Sequence, residues 1–134
     1  MANYVNNKDL YEAIVKYKEE CAIASEAGKP KPRCPEYIGA CILSIATRFS
    51  LKHNYIKIPY REEMVGDAVE NVLLYFHNFN PEKSQNPFAY FTQIIYYAFL
   101  RRIQKEKKQD YVRHKVFRQS VIDGETYNHS DNDD

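Results

Sequence analysis

The chain of 134 residues has no tryptophan, only four glycines and only three cysteines. The cysteine number is odd and no C-x-x-C motif occurs, which argues against a disulfide framework and against a zinc site. A membrane-spanning helix needs about 18 consecutive apolar residues, and no apolar stretch in the sequence is nearly that long, so a transmembrane protein is excluded. No basic segment followed by an apolar one begins the sequence, so we expect no signal peptide and a cytoplasmic protein.

Groups arranged for catalysis are also missing. The sequence contains no glycine-rich phosphate-binding loop, no recognisable nucleophile and no cluster at metal-ligand spacing. We therefore expect a protein that is not an enzyme and that needs no metal or cofactor. Of the four histidines, His53, His77 and His129 are interpreted as ordinary polar residues, whereas His114 lies in a basic segment where it could contact phosphate.

Helical periodicity is what the sequence does contain. Apolar residues recur at steps of three and four in four segments, and neither a strand pattern nor an internal repeat is found. The predicted helices cover about 8–27, 36–54, 60–78 and 88–119. Asn7 is the predicted N-cap of the first helix, and Leu73 is placed on the buried stripe of the third. The predicted fold class is an all-α bundle of about four helices.

The predicted domain boundaries follow from the positions of helix-breaking prolines and from the distribution of apolar residues. Residues 1–35 are predicted to form an N-terminal helix and a proline-rich linker, and residues 36–119 the main domain. Residues 120–134 are acidic and contain too few apolar residues to order themselves, so they are predicted to be a disordered tail.

Charge is distributed unevenly, although its net value is only +1. Residues 62–82 contain five acids and no base, whereas residues 88–119 contain eight bases and two acids. The acids Glu62, Glu63, Asp67 and Glu70 belong to the third predicted helix, and Asp67 and Glu70, which lie beyond its first turn, form a candidate protein-docking patch. A plain solvated face is the alternative, since an acid in a first turn also suits the helix dipole.

The fourth predicted helix passes from aromatic residues into lysines and arginines. Unstacked bases bind to aromatic rings, and phosphates bind to cations, so this order is typical of a nucleic-acid-binding segment. The alternative is that the aromatics are core and the bases a solvated face. Under either interpretation the predicted core residues are Phe88, Phe91, Ile95, Ala98 and Phe99, and the predicted exposed residues are Tyr90, Tyr96 and Tyr97.

The third and fourth helices together match a known pattern. An acidic helix from Glu63 leads to the turn Phe79-Asn80-Pro81-Glu82, and then to the aromatic and arginine-bearing segment Asn86–Ile103. This order resembles region 2 of bacterial sigma factors, and Leu43–Phe49 looks like the helix that precedes it. The fold that the resemblance implies is a sigma-factor domain-2-like helical bundle.

Finer features are similar to the late-transcription sigma factors of T-even-type tailed phages. They are the short chain, the N-terminal stretch Asn3–Leu10 and the Asn86-Pro87-x-Ala-Tyr pattern after the turn. The likeness covers roughly residues 3–118. It implies a sigma factor that binds host bacterial core RNA polymerase and directs it to AT-rich, −10-like late promoters in the host bacterial cytoplasm, with a phage late co-activator as a further partner.

The resemblance assigns two sets of residues. In sigma factors the acidic helix docks on the clamp-helices coiled coil of the polymerase β′ subunit, and the following helix captures the melted −10 element. The implied polymerase-binding residues are Glu63, Gly66, Asp67, Glu70, Asn71 and Leu74. The implied DNA-binding residues are Tyr90, Gln93, Ile94, Tyr97, Arg101, Arg102, Lys105 and Lys108.

The sequence departs from the family at two places. The tandem tryptophans of primary sigma factors fall on Ile94 and Ile95, so the wedge at the edge of the bubble is weaker or is made by a tyrosine. The phage family has a hydrophobic and acidic tail that binds the sliding clamp, but here Tyr127 is the only large apolar residue after Gly124. Either another protein supplies the clamp contact, or this member works without it.

The length leaves no room for a second domain that would read a −35 element, so promoter choice is expected to depend on a short AT-rich sequence that is easy to unpair. Two rival functions share parts of the pattern. One is a polymerase-binding inhibitor, which would use the acidic helix alone. The other is a stand-alone helical nucleic-acid-binding module, which would act without polymerase.

Overall fold

The computed structural model describes the backbone of residues 5–133 and the side chains of residues 5–124. The motif residues Asn3 and Tyr4 and the side chains of Tyr127 and His129 lie outside the described residues. Within the described range the chain contains four α-helices and no strand, so the all-α prediction is confirmed. The helices are α1 (Asn7–Glu26), α2 (Glu36–Ser50), α3 (Arg61–Tyr75) and α4 (Pro87–Asp133), with a 3-10 turn at Phe76–Asn78.

The chain divides into two compact units, one that runs up to Phe99 and one that begins at Leu100. In the first unit each helix contributes buried residues three or four positions apart. They include Leu10, Ile14 and Tyr17 of α1, Ile38, Ile42 and Ile45 of α2, Met64, Ala68 and Val72 of α3, and Phe91, Ile95 and Phe99 of α4. Burying such a side chain contributes about 1.5–3 kcal/mol relative to exposure, so this core sets the orientation of all four segments.

The start of α1 differs from the prediction. Asn6, not Asn7, is the N-cap, since its side-chain oxygen accepts a hydrogen bond from the Asp9 amide at 3.1 Å. The Asn7 side chain instead reaches the start of α4, where it accepts from the Phe88 amide at 3.1 Å and donates to Asn86 at 2.9 Å. The first helix is therefore fastened to a segment that is remote in sequence.

α2 ends at Ser50, four residues before the predicted boundary. Ser50 is buried, and its hydroxyl donates to the Thr47 carbonyl at 2.6 Å and accepts from Arg61 at 3.0 Å. The chain then turns, which lets Tyr55 pack edge-on against Phe99 with ring centroids 5.2 Å apart. A longer α2 would carry Tyr55 away from this aromatic contact.

α4 begins where the sequence predicts, because Asn86 accepts from the Ala89 amide at 3.0 Å and Pro87 occupies the first helical position. It ends later than the predicted end near 119, since the helix continues to Asp133, whereas the side chains of the predicted tail from residue 125 onwards lie outside the described residues. The backbone hydrogen bonds of a helix are made within the helix itself, so low apolar content alone does not end a helix. Within residues 5–133 no helix combines the length and apolar character required to cross a bilayer.

A lysine–histidine contact ties α1 and the linker to the 3-10 turn after α3. Lys18 donates to the His77 carbonyl at 2.6 Å, and the Lys31 ammonium lies 2.6 Å from Nε2 of His77. An ammonium only donates, so the ring nitrogen that accepts must be unprotonated. Desolvation and the charges of Lys31 and Lys18 lower the pKa of His77 below 6.5.

This contact gives stability a pH dependence. Because the folded state holds His77 neutral, the unfolded state binds more protons below about pH 6.5, and the free energy of unfolding should fall as pH decreases through that value. Denaturant titrations at pH 7.5 and 5.5 (about one pH unit either side of the ordinary histidine pKa) test this. His77→Gln should flatten the dependence relative to the native chain, whereas the exposed control His53→Gln should leave it unchanged. If the free energy of unfolding depended on pH equally in both variants, His77 would not be the source of the dependence.

Candidate functional site

α3 separates its residues into a buried side and an exposed acidic side. Met64, Ala68 and Val72 recur every four positions and are fully buried, and Phe76 continues the series. Glu62, Glu63, Gly66 and Glu70 are exposed, and Asp67 is half-buried. The buried series fixes the rotation of the helix, so the carboxylates of Glu63 and Glu70 face solvent without any cost to the core.

The C-terminal end of α3 adds apolar surface to these acids. Leu73, Leu74 and Tyr75 are exposed, and Leu74 is 65% accessible. Leu73 was predicted to be core, and that prediction is wrong because the buried residues repeat every four positions and Leu73 lies about 100° away from Val72. Acids beside exposed leucines are typical of a surface that binds another protein.

Asp67 and Asn71 also bond to each other. The Asn71 amide donates to the Asp67 backbone carbonyl at 2.7 Å, and both residues are half-buried. Of the six predicted polymerase-binding residues, Glu63, Gly66, Glu70 and Leu74 are therefore exposed, and the remaining two are half-buried. The most accessible charges of the patch belong to Glu63 and Glu70.

Gly66 lies on the exposed side of α3, where the fold leaves space for a larger side chain. A Cβ added at Gly66 would meet no atom within 4 Å, so nothing inside the fold requires glycine there. Gly66→Ala should raise the free energy of unfolding by about 0.5–1 kcal/mol, because alanine is the better helix former. Thermal denaturation measures this. A destabilised variant would contradict the open surroundings of Gly66.

The part of α4 that belongs to the first unit also has two sides. Phe91, Ile95, Ala98 and Phe99 are buried, as predicted, whereas Phe88, also predicted to be core, is half-buried because it borders an open cleft. Tyr96 and Tyr97 are exposed, with ring centroids 5.2 Å apart. Of the remaining predicted DNA-binding residues in this unit, Gln93 is exposed, and Ile94 and Tyr90 are half-buried. Tyr97, at 49% accessibility, is the aromatic ring of the predicted set that is most open to a base.

Tyr90 was predicted to be exposed, but it is half-buried and makes contacts within the fold. Its hydroxyl donates to the Tyr75 carbonyl at 3.3 Å, and its ring lies 5.4 Å from that of Phe79. Burial raises the pKa of Tyr90. This residue joins the end of α3 to the start of α4, so its first role is to position these two segments.

The second unit contains the predicted basic residues. Arg101, Lys105 and Lys108 are exposed. Arg102 is half-buried and makes an ion pair with Glu106 at 3.1 Å, one helical turn along. That pair occupies part of the Arg102 guanidinium, so the exposed ammonium groups of Lys105 and Lys108 are better candidates than Arg102 for contacts with phosphate.

A cleft between α2 and the start of α4 was not identified from the sequence. It has a volume of about 270 Å³ and is lined by Ile45, Arg48, Phe49, Lys52, Phe88 and Thr92. The Lys52 ammonium lies 4.6 Å from the centre of the Phe49 ring, which is a cation–π contact. The sequence signal was the pair Arg48 and Lys52, four positions apart beside an aromatic residue. The cleft joins two cations to two aromatic rings, the combination that binds an unstacked base and its phosphate.

Residues 5–124 contain no group of three or more His, Cys, Asp or Glu side chains arranged to hold a metal ion. No protein-family model matches the chain, and no curated protein matches it significantly.

Proposed function

We propose that this protein is a sigma-factor-like initiation protein that binds bacterial core RNA polymerase and directs it to AT-rich, −10-like promoters. The observation that carries the proposal is the order of surfaces along the chain. Exposed acids and leucines on α3 come first, exposed tyrosines on α4 follow, and exposed cations come last. Sigma-factor region 2 has the same order.

The α3 surface is the proposed polymerase-binding site. Glu63, Glu70 and Leu74 offer charge and apolar area on a helix whose opposite side is anchored in the core. Docking on the β′ clamp-helices coiled coil would therefore need no rearrangement of the fold, and a preformed site loses less entropy on binding.

The α4 surface is the proposed reader of melted DNA. Tyr97 offers a ring on which a base can stack, and the cleft beside Arg48 and Lys52 offers a second place for an unstacked base. AT steps unpair most readily, so a reader with few base contacts is suited to an AT-rich −10 element. The polymerase performs the chemistry, and the protein is not an enzyme in this proposal.

The setting follows from the same proposal. The protein would act on late phage promoters in the host bacterial cytoplasm, with a late co-activator as a further partner. Residues 125–134 are acidic and contain only one large apolar residue, Tyr127, so this segment is not proposed as a sliding-clamp contact.

Run-off transcription separates this function from its two rivals. Bacterial core enzyme and an AT-rich −10 template should give specific transcripts only when the protein is added. A polymerase-binding inhibitor would instead suppress the residual transcription of the core enzyme. A stand-alone nucleic-acid-binding module would bind the template without polymerase and leave transcription unchanged, and either of these results would overturn the proposal.

The exposed cations of the second unit predict a salt dependence. Arg101→Ala combined with Lys105→Ala should weaken promoter binding and reduce the slope of log affinity against log salt by roughly two, because each lost phosphate contact removes about one released counterion. Fluorescence anisotropy with core polymerase present measures the slope. The matched pair Lys107→Ala and Arg118→Ala, on the other side of the helix, should leave it unchanged. If the variant that lacks Arg101 and Lys105 kept the slope of the native chain, these two residues would not face DNA.

A further inference from the structure

Lysines of α1 and of the linker that follows it (27–35) meet beside a cavity that the proposed function does not use. The cavity has a volume of about 280 Å³ and is lined by Cys21, Ser25, Lys29 and Lys31. The Lys31 ammonium also lies 2.6 Å from Nε2 of His77, and the His77 carbonyl accepts a hydrogen bond from Lys18 at 2.6 Å. The ammonium groups of Lys18 and Lys31 therefore converge on one residue.

The linker holds its two lysines in place before any ligand arrives. Gly28, with a φ of +68°, lets the chain reverse its direction at the end of α1. Lys29 and Lys31 each precede a proline, which restricts both of them to extended backbone. The Tyr17 hydroxyl donates to the Pro32 carbonyl at 2.7 Å and so fastens the linker to α1. A site that is preformed in this way loses less entropy on binding.

The positive charge beside the cavity is not balanced by acids. Within residues 5–124, none of Lys18, Lys29 and Lys31 makes an ion pair with a carboxylate. Lys18, Cys21 and Ser25 recur at steps of three and four, so they share one face of α1. The acids in the last two turns of α1 lie more than about 100° from the centre of that face, and they are Glu19, Glu20 and Glu26.

The end of α1 also presents little negative charge. The last carbonyls of a helix carry partial negative charge and would repel an anion. Here they accept hydrogen bonds from the amides that follow, at 3.0 Å for Ile23 with Ala27, 3.1 Å for Ser25 with Gly28, and 2.8 Å for Ala24 with Lys29. These bonds leave the lysines as the dominant charges at this end of the helix.

Lys18 shows what this arrangement lacks. It is half-buried, and desolvation lowers the pKa of its ammonium group, as does the nearby charge of Lys31. A charge that is partly removed from water is costly unless an opposite charge compensates it. A bound anion would supply that opposite charge to Lys18 and Lys31 together.

We propose that the cavity at the end of α1 is a binding site for a phosphate group, held by Lys29, Lys31 and the hydroxyl of Ser25. Lysine binds phosphate as a point charge, and a serine hydroxyl can donate to a phosphate oxygen. None of the four lining residues is aromatic, so the site offers no ring on which a base could stack and recognises the phosphate alone. This proposal does not rest on the proposed function.

Titration calorimetry of the full chain with pyrophosphate tests the site. The native chain should bind pyrophosphate saturably, and Lys29→Ala combined with Lys31→Ala should weaken binding by roughly 10-fold or more, because two charged hydrogen bonds are lost. The Tyr17 contact with Pro32 remains in this variant, and circular dichroism checks its helical content. The matched control is Lys57→Ala combined with Lys83→Ala, which removes the same charge from exposed positions outside the cavity and should bind as the native chain does.

A variant without a change of charge separates a built site from general attraction of anions. Ser25→Ala should weaken pyrophosphate binding by about 3-fold or more, because it removes one donor and leaves every lysine in place. Absence of saturable binding up to about 10 mM pyrophosphate would overturn the proposal. Equal losses in the Lys29 and Lys31 variant and in its control, or native affinity in Ser25→Ala, would also overturn it.

A second probe identifies the source of the phosphate. Fluorescence anisotropy measures the binding of a short labelled DNA duplex of arbitrary sequence to the native chain, to the Lys29 and Lys31 variant and to its control. A loss of affinity confined to the variant would support a nucleic-acid backbone as the source. Unchanged duplex affinity, with pyrophosphate binding lost, would support a free phosphate compound. A polyglutamate peptide that binds this site more tightly than pyrophosphate and the duplex would overturn the assignment to phosphate.

Discussion

Reversing two charges on α3, by Glu63→Lys with Glu70→Lys, is expected to lower the affinity for core RNA polymerase by about 100-fold or more, because like charges brought together at an interface cost several kcal/mol. Both side chains are exposed and lie away from the buried series of Met64, Ala68 and Val72. The substitutions should therefore leave the fold intact. Titration of labelled core polymerase with the native and variant chains measures the change.

The chain offers a matched control for this experiment. Glu12 and Glu19 on α1 are also exposed and are also seven positions apart, so Glu12→Lys with Glu19→Lys makes the same change in net charge. This control should bind polymerase almost as the native chain does. Equal losses in both variants would indicate a general effect of net charge and would remove α3 as the docking surface.

Tyr97→Ala is expected to reduce the fraction of open promoter complexes by roughly 5- to 150-fold, the equivalent of about 1–3 kcal/mol of lost stacking on one base. Tyr97 is 49% accessible and lies on the side of α4 opposite the core residues Phe91, Ile95 and Phe99. Its removal should affect the capture of DNA and not the affinity for polymerase. Fluorescence of a base analogue placed in the −10 element measures opening.

A tyrosine of similar exposure serves as the control for Tyr97. Tyr37, on α2, is 44% accessible, so Tyr37→Ala removes a comparable ring at another place in the first unit. Promoter opening should be nearly native in this variant. Opening that is lost equally in both variants, or in neither, would contradict the role of Tyr97 as a base-stacking residue.

The sequence was sufficient where local rules determine the structure. Apolar residues at steps of three and four located all four helices and most of the core, and the predicted start of α4 at residue 88 lies one residue from the observed start at Pro87. The rotation of α3, and so the exposure of Glu63 and Glu70, followed from the same periodicity. The end of α4 was missed because low apolar content argues against a core but not against a local helix.

The remaining differences depend on contacts between residues distant in sequence. Asn7 was predicted as a cap, but its partner is Asn86, 79 positions away. Tyr90 was predicted to be exposed, but its hydroxyl donates a hydrogen bond to the Tyr75 carbonyl, which is brought close by the turn between α3 and α4. The cleft of Arg48, Lys52 and Phe88 forms only when α2 and α4 pack together. No periodicity reports such pairings.

Permanganate reactivity of thymines in the −10 element tests the central claim most directly, because permanganate oxidises thymines only where they are unstacked. On an AT-rich promoter with bacterial core polymerase, addition of the protein should make these thymines reactive, and Tyr97→Ala should abolish most of that reactivity. Thymines that remain protected with the native protein, although it is bound to polymerase, would contradict a function in promoter opening.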